Sequence, residues 1–251
     1  MTRLVAAEFR KLFTTRLWLW LLLGSAAITA LYVSLSIAFG QDPNNPTPPL
    51  TTVEGQNTLF SLGSAAGALV AVLGAIGLTG EFRHKTATAT FLATPQRGRV
   101  VIAKLVTYGV VGVGYALVCI AVTAAIALPW LAAENIDVLS AGKAVTLAGV
   151  VAAVAIYALV GVGLGALVRD QVATVVTLLV YLFVVEPIVT RISALGEWTN
   201  YLPGDAANAL TQVSQANEEF LEPWLGGIVL AAYGIAFALA GTVLAVRRDV
   251  L

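Results

Sequence analysis

The sequence predicts an all-α integral membrane protein with six transmembrane helices, because of its composition and its hydropathy pattern. Hydrophobic residues make up 59% of the 251 residues and charged residues only 11%, with a mean hydropathy of +0.88. A soluble domain has about a quarter charged residues, since polar side chains must cover its surface. A membrane-spanning helix needs about 20 mostly apolar residues. Six such runs lie at 17–39, 59–80, 105–128, 144–168, 172–189 and 225–246.

Segment 1–15 has the pattern of an amphipathic helix. Its apolar residues recur at helical spacing, and its charged residues fall largely elsewhere on the helical wheel. The apolar set is Val5, Phe9, Leu12 and Phe13, and the charged set is Arg3, Glu8, Arg10 and Lys11. We expect an interfacial helix that lies in the membrane surface with its basic residues towards the headgroups. The alternative is a basic flank that only orients the first span.

Glycines are frequent in the spans. Gly63 and Gly67 form a GxxxG pattern in the second span, and Gly161, Gly163 and Gly165 cluster in the fourth. Small residues let helix backbones approach closely in a membrane, so these glycines predict tight helix packing.

Segment 81–104 is the polar stretch between two spans that carries the most positive charge. Its only acidic residue is Glu81, and its basic residues are Arg83, Lys85, Arg97, Arg99 and Lys104. Phe91 and Leu92 lie together inside this charged stretch, and Pro95 would end a short helix that contains them. An apolar centre with a charged rim is typical of a protein–protein contact, with Arg97 and Arg99 as the rim. The alternative is that the loop only holds positive charge at the headgroups.

The basic residues are distributed unequally between the two sides of the predicted topology. One side collects the two chain ends and segment 81–104, whereas the other has only Lys143 and Arg191. Cytoplasmic loops carry the excess of Lys and Arg, so both termini and segment 81–104 are predicted to be cytoplasmic.

One carboxylate, and no basic side chain, falls inside the six apolar runs. Glu186 lies three residues from the outer end of the fifth span, and Arg191 follows shortly after it. Charges in a membrane are usually functional, but this carboxylate is shallow enough to pair with a neighbour. We therefore expect a structural Glu186–Arg191 ion pair, with a role in transport as the alternative.

Segment 190–224 is too polar to span a membrane, but its apolar residues recur in a roughly helical way. Tyr201, Leu202 and Pro203, followed by Gly204, break the pattern in the middle. Two short helices that dip into the outer leaflet as a re-entrant hairpin would account for it. A plain external loop with interfacial aromatic residues is the alternative.

Several classes of function have no support in the sequence. One histidine and one cysteine offer no zinc cluster, and no catalytic motif is present, so we predict no catalytic residue and no metal site. The near-zero net charge gives no sign of nucleic-acid binding. There is no GxxxxGK[ST] phosphate loop, so the chain cannot bind ATP by that route, and ATP for uphill transport would have to bind to another subunit.

Three stretches together resemble permease subunits of type-2 ABC exporters, the drug- and lipid-export branch. The first is AAEFRKLFTTRLW at residues 6–18. The second is Glu81 followed by Leu92-x-x-Pro95-x-Arg97, and the third is Tyr201-Leu202-Pro203. The chain has Lys85-Thr86 where such permeases commonly have Gly-Thr, so this part of the match is imperfect.

The resemblance implies six membrane helices, an N-terminal interfacial helix, a cytoplasmic coupling helix in segment 81–104 and a re-entrant hairpin before the last span. It also implies an assembly of two permease copies with two ABC ATPase subunits in the plasma membrane of a bacterium. ATP and magnesium would then bind to the ATPase, with no cofactor in this chain. The alternatives are a stand-alone secondary transporter or channel, and a non-transporting membrane scaffold.

Overall fold

A computed structural model describes residues 1–40, 47–84, 97–138, 141–213 and 220–247, and within these ranges the chain is helical and has no β-strand. The α-helices are α1 Thr2–Thr14, α2 Leu17–Ala38, α3 Val53–Ser61, α4 Ala66–Arg83, α5 Arg97–Ala133, α6 Lys143–Val168, α7 Gln171–Val180, α8 Glu186–Val189, α9 Pro203–Leu210 and α10 Pro223–Arg247. A 3-10 turn joins α3 to α4, and a π-helical turn joins α7 to α8.

Six helical stretches are long and apolar enough to cross a membrane, as the sequence predicts. They are α2, α3 continued into α4, α5, α6, α7 continued into α8, and α10. The second stretch starts at Val53 rather than near residue 59, because the Thr52 hydroxyl accepts a hydrogen bond from Gly55 N at 3.1 Å and caps the helix.

The two helices that flank segment 81–104 extend into it at both ends. Glu81 lies in the last turn of α4, and α5 begins at Arg97, so that Lys104 lies in the third turn of α5. At 37 residues, α5 is about 55 Å long, well beyond the roughly 30 Å of a hydrocarbon core. Both helices extend past their apolar runs because charged side chains at their ends have partners inside the protein.

Helix α6 lies between α4 and α10, and its glycines allow its backbone to approach the backbones of both helices closely. A Cβ on Gly161 would lie 1.9 Å from the carbonyl oxygen of Ala71 in α4, and one on Gly163 would lie 2.5 Å from the backbone of Phe237 in α10. No side chain fits in these spaces, so the prediction of close packing at this glycine cluster is confirmed.

Helix α1 packs against the start of α5, but its buried face differs from the predicted one. Glu8 and Leu12 are buried, whereas Phe13 is exposed. The sequence pattern grouped Glu8 with the charged residues, which fall largely off the apolar face, but the structure buries Glu8 beside Leu12. A carboxylate is tolerated on the buried face of α1 because Lys104 of α5 and Lys11 of α1 itself neutralise it.

Segment 190–224 contains 3-10 turns within Ser193–Tyr201, which the non-helical backbone of Gly196 divides, and then α9. They meet at Leu202, whose extended backbone separates them. Helix α9 packs closely on both α6 and α10, since a Cβ on Gly149 would lie 2.2 Å from Leu210 O and one on Gly226 would lie 2.6 Å from Ala206 O.

Candidate functional site

Four charged side chains meet where α1, α4 and α5 converge, and we call them the charge cluster: Glu8, Lys11, Glu81 and Lys104. The Lys11 ammonium lies 2.8 Å from Glu8 Oε1 and 2.8 Å from Glu81 Oε1. The Lys104 ammonium lies 2.5 Å from Glu8 Oε2 and 2.9 Å from Glu81 Oε1. Each lysine therefore bridges both carboxylates, and the cluster joins three helices.

The cluster is buried on one side and open on the other. The side chain of Lys104 is 1% exposed and that of Glu8 6%, whereas that of Lys11 is 48% exposed. Lys104 also donates to Gly77 O at 3.2 Å, so its three ammonium hydrogens have three acceptors. Full pairing is what makes a buried ammonium tolerable, because an unpaired one would be strongly destabilising.

Lys11 is the cation that closes the cluster towards solvent. Burial alone would lower the pKa of its ammonium, but the hydrogen bonds and charges of Glu8 and Glu81 outweigh burial and raise that pKa. Lys11 therefore stays charged throughout the physiological pH range.

Tyr108 and Gly77 lie beside the charge cluster. Tyr108 is 5% exposed, and a Cβ on Gly77 would lie 1.7 Å from its hydroxyl oxygen. The absence of a side chain at Gly77 thus lets the tyrosine ring, and the α5 helix that carries it, lie directly against α4.

Of the residues predicted to dock a partner, the structure brings one into the cluster, Glu81. Arg83 is exposed and donates from Nη1 to Gln171 Oε1 at 3.3 Å, which links α4 to α7. Arg99 is also exposed. Arg97 is the first residue of α5. Phe91, Leu92 and Pro95 lie outside the described residues.

The sequence reading missed three members of the charge cluster, Glu8, Lys11 and Lys104, as site residues. A signal was present for Lys104, which follows the apolar run 100–103 directly and precedes Leu105. The polar pattern placed Lys104 at the end of a loop, so it was not recognised as a charge inside a helix. No pattern in the sequence pairs it with Glu8.

At the other end of the helices, Glu186 is buried, and its carboxylate accepts a hydrogen bond from the backbone N–H of Gly204. Gly204 lies in the first turn of α9, where N–H groups have no partner within the helix. The predicted ion pair is wrong: both residues are described, Arg191 is exposed, and no ion pair joins it to Glu186. The N–H groups at a helix N-terminus favour a carboxylate, and the contact with Gly204 takes the place of the predicted ion pair.

The break at Tyr201, Leu202 and Pro203 is part of the same contact. Pro203 is buried and its carbonyl accepts a hydrogen bond from the Tyr157 hydroxyl at 3.3 Å, whereas Tyr201 is exposed. Glu186 and Tyr157 thus hold the start of α9 from two sides.

A polar contact also fixes the ends of α3 and α6 on this side. Gln56 is fully buried, and its amide donates to Leu50 O at 3.0 Å and to Asp137 O at 2.7 Å. Its carbonyl oxygen accepts from the Lys143 ammonium at 2.8 Å. Asp137 and Lys143, which lie before and at the start of α6, are therefore both hydrogen-bonded to Gln56 near the start of α3.

Among the described residues, no three His, Cys, Asp or Glu side chains are placed to hold a metal ion. Compared with protein-family profiles and with curated proteins, the sequence matches none.

Proposed function

We propose that this chain is the membrane-spanning permease subunit of an ATP-driven exporter of the type-2 ABC class. The observation that supports it best is the charge cluster. Glu81 and Lys104 lie on the two helices that enter and leave segment 85–96. Glu8 joins α1 to α5 through Lys104, and Lys11 joins α1 to α4 through Glu81. The two helices that flank the polar segment are thus joined to each other and to α1 by ion pairs. A loop that receives force from a soluble partner requires such rigid support.

The energy source in this proposal is a separate ABC ATPase, since the sequence has no phosphate-binding loop for ATP and magnesium. Segment 81–104 is its docking site and contains the coupling helix. Phe91 and Leu92 form the apolar centre of the contact, Pro95 ends the helix, and Arg97 and Arg99 form the charged rim.

The arrangement of α1 supports its placement as an interfacial helix on the cytoplasmic side. Arg3 and Arg10 are exposed, as basic residues facing headgroups would be. The Phe13 ring contacts the Trp18 ring edge-on, with 5.0 Å between centroids, and so joins α1 to the start of α2. At the opposite end, Ser193–Tyr201 and α9 form the re-entrant hairpin, in which α9 packs on α6 and α10.

The working transporter contains a second copy of this chain, and the pathway runs between the two copies. Both termini face the cytoplasm of a bacterial cell, and the protein resides in its plasma membrane. The apolar spans favour a lipid, a drug or an amphipathic peptide as the exported molecule over a sugar or a metal ion.

Purification of the tagged chain from its own membranes in a mild detergent tests this proposal. We expect an ABC ATPase in a one-to-one ratio with the chain, and ATP hydrolysis by the purified complex. The chain alone, reconstituted in vesicles, should transport nothing. Ion-driven transport by the chain alone, or a preparation without any ATPase, would contradict the proposal and favour a secondary transporter or a scaffold.

A further inference from the structure

A cavity of about 520 Å³ lies beside the charge cluster, between α1, α4, α5 and the start of α7. Apolar side chains line its inner part, among them Leu12, Leu73 and Ile76. Its mouth is lined by Lys11 and by the exposed residues Arg83 and His84. We propose that this cavity binds the headgroup of an anionic phospholipid, with part of an acyl chain against the apolar side chains.

The charges at the mouth favour an anion. The acidic side chains that line the cavity, Glu8 and Glu81, are only 6% and 11% exposed and already bridge two lysines. The cations are more accessible, since the Lys11 side chain is 48% exposed and Arg83 is exposed. A molecule that enters therefore meets positive charge first, and the planar guanidinium of Arg83 matches two phosphate oxygens.

The position of the cavity favours a lipid as the source of the phosphate. It lies where Leu17 begins α2, Arg83 ends α4 and Gln171 begins α7, so it is at the membrane surface if these helices cross a bilayer. Basic pockets between membrane helices bind anionic headgroups on the cytoplasmic side. A zwitterionic headgroup brings its own cation to a basic rim, so an anionic lipid is preferred.

A substitution at Gly80 can fill the cavity without removing a charged side chain. It lines the cavity, and a Cβ built on it would have no atom within 4 Å. A leucine at this position therefore has room at its first carbon and would fill the space that the ligand needs. Since glycine is a poor residue inside a helix, Gly80→Leu should not destabilise α4.

The experiment is titration of the purified protein in non-ionic detergent with phosphatidylglycerol, with native mass spectrometry to count bound lipid. We expect about one tightly bound lipid per chain, and an affinity about fivefold weaker in Arg83→Gln, the loss of one cation–phosphate contact. Gly80→Leu should lose the bound lipid at an unchanged melting temperature. Arg99→Gln, which removes an exposed cation outside the cavity, should bind like the unmodified protein.

Three results would overturn the proposal. Equal losses in Arg83→Gln and Arg99→Gln would show unspecific charge attraction, and retained lipid in Gly80→Leu would place the lipid elsewhere. Displacement of the lipid by excess inorganic phosphate would show a site for a soluble anion instead. The experiment involves no ATPase, so its outcome is independent of the proposed transport function.

Discussion

The ammonium of Lys104 lies 2.5 Å from the carboxylate of Glu8, although 96 residues separate the two in the chain. Both side chains are buried, so each depends on the other for neutrality. Because Lys11 pairs with Glu81 as well, α1 is joined to both α4 and α5, the helices that flank residues 85–96. A movement of α4 against α5 at these ends therefore has to change the contacts of α1.

Removal of Lys104 should destabilise the protein strongly. Lys104→Met keeps the apolar stem but leaves two buried carboxylates with one fewer cation, and breaking a buried ion pair in this way costs about 3–5 kcal/mol. Thermal unfolding in detergent measures the effect. Lys11→Met is the matched control, since Lys11 makes similar contacts but is half exposed, and it should lower the melting temperature much less. Equal melting temperatures for the two variants would contradict the buried-cluster account.

The pair can also be tested for coupling. Glu8→Gln and Lys104→Met each leave a charge without its partner, whereas the double variant removes both charges. We expect the double variant to be more stable than the sum of the two single losses predicts, with a coupling of roughly 0.5–3 kcal/mol. Additive losses would mean that the two side chains do not interact.

Glu186 should act as a helix cap and not as half of an ion pair. Glu186→Gln weakens a charge-assisted hydrogen bond to Gly204 and should reduce the free energy of unfolding by about 1–3 kcal/mol. Arg191→Gln should have no such effect, since no ion pair joins Arg191 to Glu186.

The pH dependence of transport should be unchanged in Glu186→Gln. A shifted pH profile would assign a proton-coupling role to Glu186.

The hydropathy of the chain was sufficient to predict six apolar helices, because a long apolar run has few other stable forms. It was insufficient for the helix ends. Glu81 and Lys104 are polar in sequence but lie inside helices, since their charges cancel within the fold. The partner of Glu186 is a backbone N–H 18 residues away. Almost every residue has a backbone N–H, so residue types alone cannot identify such a partner.

The N-terminal helix shows the same difficulty. Its pattern predicted a helix, which is confirmed, but placed Glu8 with the solvent-facing charges. A helical wheel ranks residues by polarity and cannot identify a charge that is neutralised by another helix. The contribution of segment 81–104 to function stays a prediction, since its centre at 85–96 lies outside the described residues.

The packing of α6 on α4 gives a further prediction. Gly161→Ala would place a Cβ 1.9 Å from Ala71 O, so the helices must separate, and such overpacking typically costs about 1–3 kcal/mol. Gly114→Ala in α5 is the control, because a Cβ there meets no atom within 4 Å. Expression level and melting temperature should fall for the first variant only. A loss of the same size in both would contradict the close contact.

The proposed orientation can be tested by labelling. A cysteine at Asn45 should react with an impermeant thiol reagent added to intact cells, whereas one at Gln96 should react only after the cells are opened. The basis is the unequal distribution of basic residues across the membrane. Labelling of position 96 in sealed cells would reverse the topology.

The central claim, that segment 81–104 docks an ATPase, is tested most directly by the double variant Phe91→Ala with Leu92→Ala. Truncated hot-spot side chains typically cost about 2 kcal/mol or more each, so the variant should insert normally but lose the ATPase during purification and lose ATP-dependent export. The control is Ile102→Ala with Val106→Ala, which removes exposed apolar side chains from the adjoining helix and should retain the ATPase. A double variant at 91 and 92 that keeps the ATPase and transports normally would contradict the claim.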